Sequence, residues 1–77
     1  MEDTIRQDEI NIGANIRRIR KEQKIGQTEL VRFLHLQGID ITRETLVKIE
    51  RGIQHVKATQ LRGIRDILNT SYDELLK

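Results

Sequence analysis

Arg43, Glu44, Thr45 and Lys48 bring a guanidinium, a carboxylate, a hydroxyl and an ammonium into little more than one helical turn. Such a set can donate and accept hydrogen bonds along a polar surface, but it holds no activated nucleophile. The rest of the chain adds little that could make or break bonds. Cysteine is absent, which excludes thiolate metal sites, cysteine nucleophiles and disulfides. His35 and His55 have no companion residues at metal-ligand spacing, and no glycine-rich phosphate loop is present. Asp73 and Glu74 are adjacent and read as a helix start. The sequence therefore points away from an enzyme, and no cofactor or metal is expected.

The elements that must carry these side chains can be read from periodicity and caps. In Thr42–Gly52, Thr42 suits an N-cap, Leu46 and Ile49 share one helical face, and Gly52 supplies a stop. Arg43, Glu44, Thr45 and Lys48 are left on the other side. Upstream, a helix is expected from about Glu9 or Asn11 to Gln23, with Ile12, Ile16 and Ile19 inward and Arg17, Arg18 and Lys21 outward. Lys24 marks its end, and Ile25 turns back to the core. Gly26 opens a second helix with Glu29 three residues on, and Leu30, Val31 and Leu34 form its buried stripe, with Phe33 or Leu36 at the edges. It should stop at Gly38, with Ile39 folding back over the last turn. Asp40 or Thr42 then caps the third helix. A fourth helix is expected from about Ala58 to Leu68 with Leu61, Ile64, Ile67 and Leu68 inward, and Ser71 caps a short fifth, Tyr72 to Leu76. The reading is an all-α, compact five-helix domain over residues 11–77, without strands. Residues 1–10 precede it as a flexible arm, although Ile5 shares a helical face with Ile12, Ile16 and Ile19.

Composition agrees with a single small domain. The chain has 77 residues, of which 34% are charged, with no proline and only one Phe and one Tyr. A chain of this size buries only about 60% of its unfolded surface, so its core must be economical. The net charge of +2 hides an asymmetry. Residues 1–10 carry one Arg against four acidic residues, whereas residues 17–65 carry twelve Lys or Arg against five. A basic body suits a polyanionic partner, but a solvated basic surface would fit charge alone equally well. No apolar run approaches the roughly 18–20 residues of a membrane span, and the acidic start is unlike a secretory signal. A cytoplasmic protein without a membrane partner is the expectation.

Four pieces in this order resemble the λ-repressor/Cro-type helix-turn-helix family, also called the XRE family. They are Ile16-Arg17-Arg18-Ile19-Arg20, Gln27-Thr28-Glu29-Leu30, Thr42 to Gly52 with its Ile49-Glu50-Arg51-Gly52 end, and Ser71-Tyr72-Asp73-Glu74-Leu75-Leu76. Each piece alone is weak, but together they cover nearly the whole chain at close to the family spacing. The resemblance implies that Thr42–Gly52 is a recognition helix for the major groove of double-stranded DNA. Arg43, Glu44, Thr45 and Lys48 would then face base edges, with Gln27 at the start of the second helix contacting a base or a phosphate. Arg17, Lys21, Arg51 and Lys57 become candidates for backbone phosphates, and His55 can join them. The family also implies a structural pair, Arg20 with Glu50, tying the first helix to the third. One departure stands out: the segment His35 to Asp40 lengthens a connection that is very short in the family. The same resemblance implies a sequence-specific transcriptional regulator, acting as a repressor and as a homodimer on two half-sites. The alternative is a protein-interaction module or antitoxin-like partner on the same fold.

Overall fold

Ile12, Ile16 and Ile19 line the buried side of a first helix, α1 (Ile12–Glu22), in the computed structural model of the chain. The structure describes residues 4–5 and 11–77. The second helix, α2 (Gln27–Leu36), starts where Gly26 N–H donates to the Glu29 carboxylate at 3.3 Å, and it buries Leu30, Val31 and Leu34. At the start of α3 (Arg43–Glu50), the Thr42 hydroxyl accepts the Thr45 N–H at 3.0 Å, so Thr42 rather than Asp40 is the cap. Leu46 and Ile49 fill the inner face of α3. In α4 (Ala58–Ile67), Leu61 and Ile64 are buried while Ile67 packs at the edge of the core. The last helix, α5 (Tyr72–Leu75), is capped by Ser71, whose hydroxyl accepts the Glu74 N–H at 3.2 Å.

The first four helices end in the same way. After α2, Ile39 N–H donates to Leu34 C=O at 3.0 Å and Gly38 N–H to His35 C=O at 2.9 Å. After α3, Ile53 N–H donates to Lys48 C=O and Gly52 N–H to Ile49 C=O, each at 3.0 Å. These paired bonds close a Schellman turn and need a left-handed residue, which Gly38 (φ +78°) and Gly52 (φ +77°) provide without a Cβ clash. Lys24 (φ 59°) and Asn69 (φ 50°) hold the same conformation after α1 and α4. The helix stops at Lys24, Gly38, Gly52 and Asn69 thus share one geometry.

The helices enclose a single core in which Ile12, Ile16, Leu30, Leu34, Leu46 and Ile49 are fully buried. Leu75 also enters it, so this leucine of α5 belongs to the intramolecular core. The Asn15 side-chain amide fastens α5 to α1 by donating to Leu75 C=O at 3.0 Å. The fold is all-α, with one addition that the sequence reading lacked. Thr4–Ile5 (β1) and Val56–Lys57 (β2) form an antiparallel ladder in which Thr4 faces Lys57 and Ile5 faces Val56. Segments of two residues have no periodicity to detect, which is why the strandless reading missed them. Of the arm expected over residues 1–10, only this extended pair is described, and the remainder of that expectation lies outside the described residues. Among the described residues, no helix is long and apolar enough to cross a membrane.

Candidate nucleic-acid interface

The C-terminal end of α3 is locked to α1. Arg20 Nε donates to Glu50 Oε2 at 2.8 Å and its Nη2 to Glu50 Oε1 at 2.9 Å, with both residues only 6% exposed. The remaining guanidinium arm reaches Ile25 C=O at 2.8 Å, so Arg20 also secures the turn after α1. A planar fork matched to a carboxylate fixes orientation as well as distance. Beside it, Gly13 lets α1 approach the backbone of α3: a Cβ there would stand 2.0 Å from Ile49 C=O. The expected Arg20–Glu50 pair is present, and Gly13 is a contributor that the sequence reading did not identify.

Gln27 is drawn into the same network. Its Nε2 donates to Glu50 Oε1 at 3.1 Å. A carboxylate can only accept here, so the amide nitrogen must face Glu50, leaving Oε1 and one N–H for an outside partner. Gln27, Arg17, Val47, Glu50 and Arg51 line an open depression of about 410 Å³ where the N-terminus of α2 meets α1 and α3. Two arginines beside a helix N-terminus make an electropositive recess suited to an anionic oxygen. Lys21 is exposed one turn along α1 from Arg17. Lys57, in contrast, lines a different depression with Gln37, Asp40, Thr59 and Arg62. The candidate phosphate-holding cations therefore occupy two regions of the surface, not one. His55 is exposed in the segment before β2.

On the outer side of α3, Arg43, Glu44 and Lys48 are exposed and Thr45 is half-buried. Lys48 Nζ lies 3.4 Å from Glu44 Oε1, an i,i+4 pair with both side chains largely in water. Such a pair contributes at most a few tenths of a kcal/mol in an exposed helix, about 0.3–0.5, so it yields readily to another partner. Thr45 accepts from the Thr42 hydroxyl at 3.0 Å, which leaves its own O–H to donate outward. Arg43 has no ion-pair or hydrogen-bond partner among the described residues. The four side chains named from the sequence thus share the accessible face of one short helix.

The lengthened connector holds the other end of α3. Ile41 is 3% exposed and enters the core alongside Leu46 and Ile49. His35, exposed on the last turn of α2, places a ring nitrogen 2.6 Å from Ile41 C=O and braces the loop across its base. Ile39 packs against the core margin at Gly63, where an added Cβ would stand 2.2 Å from Ile39 Cδ1. Gly13 and Gly63 each carried one sequence signal: a glycine inside a helical pattern costs helix stability and calls for a packing reason. Among the described residues, no group of His, Asp and Glu could hold a metal ion.

The order of helices and the seating of α3 define a λ-repressor-like helix-turn-helix fold with a long connection between its two central helices. No protein-family model and no curated protein matches the sequence. Among solved structures, the chain is similar to the restriction-modification controller protein C.AhdI from Aeromonas hydrophila, known from a high-resolution crystal structure. The two agree with a TM-score of 0.69 at 24% identity, over 86% of this chain and 92% of that one. At that identity the likeness shows the fold.

Proposed function

We propose that this chain binds double-stranded DNA sequence-specifically, with α3 in the major groove, and that it acts as a transcriptional regulator of the repressor type. The observation that carries this reading is the contrast between the two sides of α3. Its inner side and C-terminus are fixed by Leu46, Ile49 and the buried Arg20–Glu50 pair, while Arg43, Glu44, Thr45 and Lys48 stand accessible outside. A rigid helix with exposed donors and acceptors is what direct readout requires. Arg takes guanine O6 and N7 together, Glu accepts from cytosine N4, and Thr contacts either a base edge or a thymine methyl. Gln27 adds an acceptor and a donor at the rim, and Arg17, Lys21, Arg51 and Lys57 hold phosphates that set register. The C.AhdI likeness supports a regulatory role, since that protein is a restriction-modification controller. One copy spans few base pairs, so two copies on half-sites about 34–36 Å apart supply useful specificity.

A second reading, a protein-interaction module on the same fold, is favoured by one observation. Leu36 is 78% exposed and lies with Phe33 and Ile67 around an apolar depression on the inserted turn of α2. Binding to a random pool of duplexes separates the two. DNA binding is expected at low salt, with affinity falling steeply as salt rises. No retained duplex at low salt would refute the regulator reading in favour of the second.

A further inference from the structure

The two ends of α3 are held by different neighbours. At the C-terminal end, α1 grips the helix through Gly13 and through Arg20–Glu50. The N-terminal end, where Arg43 and Glu44 sit, hangs from the connector after α2. That connector reaches α4 through Ile39, which occupies the space a side chain at residue 63 would take. An added Cβ on Gly63 would lie 2.2 Å from Ile39 Cδ1 and 2.9 Å from Leu34 Cδ2. From Ile39 the path to the reading residues is short and stiff. Ile41 is buried, its carbonyl is bonded to His35, and Thr42 caps the helix.

We infer that Ile39 and Gly63 form a seat that sets the position of the N-terminal end of α3, and so act as positioning residues for base selection. This rests on the DNA-binding reading of α3. An eight-residue helix is about 12 Å long. Clamped at its C-terminus, it moves most at its N-terminus when the connector shifts, and Arg43 and Glu44 move with it. Base-edge hydrogen bonds tolerate only a few tenths of an ångström, whereas phosphate contacts from flexible Arg and Lys side chains tolerate more. A displaced seat therefore degrades the preference among sequences before it degrades attachment to DNA. The atoms in the way are side-chain tips, so Gly63→Ala can be accommodated by moving Ile39 and leaves the domain folded.

The test compares wild type, Gly63→Ala and Gly63→Ala/Ile39→Val, because valine lacks the Cδ1 atom that lies closest to the added methyl. Affinity is measured for the duplex selected by the wild type and for a random duplex of equal length. Gly63→Ala is expected to lower the ratio of the two affinities by about tenfold or more, the scale of one lost bidentate base contact. Its affinity for random duplex should change less than about threefold, within the tolerance of phosphate contacts. The double variant should recover most of the ratio. Amide shifts of Thr42–Thr45 in DNA-free protein read the same seat: they should move in Gly63→Ala and return in the double variant. An unchanged ratio, or a loss that Ile39→Val does not reverse, overturns the inference. If the wild type prefers no duplex, the DNA reading fails, and the positioning role in base selection falls with it. The amide shifts then still decide whether the seat moves α3.

Discussion

Glu50 accepts two hydrogen bonds from Arg20 and one from Gln27 at a position that water scarcely reaches. Removing one partner of such a pair leaves the other charge buried and unmatched. Glu50→Ala is therefore expected to lower stability by about 3–5 kcal/mol, measured by urea unfolding. Replacing both members, Arg20→Met with Glu50→Leu, should recover most of that loss, because the desolvation cost disappears together with the attraction. A double variant as unstable as the single one would show that the pair's role is not confined to its two charges. Gln27→Ala removes only a donor that Arg20 largely backs up, so its stability cost should stay near 1 kcal/mol. Duplex affinity should fall in the same variant, since Gln27 also faces the proposed DNA. Gln27 and Glu50 could each be named from the sequence, but their bond could not. It depends on how closely the N-terminus of α2 approaches the end of α3.

The helices themselves were legible because their signals are local. Thr42, Ser71, Gly38 and Gly52 act through residues within five positions of themselves, and the inward isoleucines and leucines follow one period. Gly13, Gly63 and Ile39 matter through partners far along the chain, and the β1–β2 ladder joins residues on opposite sides of three helices. None of those pairings leaves a trace in neighbouring residues. Two glycines show the difference experimentally. Gly13→Ala must push α1 away from the backbone of α3 and should cost about 1–3 kcal/mol as overpacking. Gly26→Ala, with nothing within 4 Å of the new methyl, carries no overpacking and should cost under about 1 kcal/mol, the preference for glycine over alanine at an N-cap. Equal unfolding midpoints for the two would contradict the close approach of α1 to α3. At the start of α3, Thr42→Ala should cost about 1 kcal/mol and speed hydrogen exchange at the Thr45 amide, which loses its cap.

At the scale of the whole molecule, the fold divides its polar surface into the exposed face of α3 and flanking cations. Arg17 and Arg51 share one depression and Lys57 lines another, so the proposed phosphate contacts would lie at separated points around α3. Each phosphate neutralised contributes about −0.9 to the slope of log affinity against log salt. If Arg17, Lys21, Arg51 and Lys57 each hold one phosphate as proposed, the slope should be about −3.6 for one copy and about twice that for two copies on a full site. Native mass of the complex fixes the copy number independently, and a slope near zero would deny these cations their role. The most direct test of the central claim is a comparison of Arg43→Ala with Arg51→Ala on the selected duplex and on random duplex. Arg43→Ala should weaken the selected site about 1–3 kcal/mol more than random duplex, whereas Arg51→Ala should weaken both alike. Equal losses from the two variants on both duplexes would contradict a reading role for the exposed face of α3.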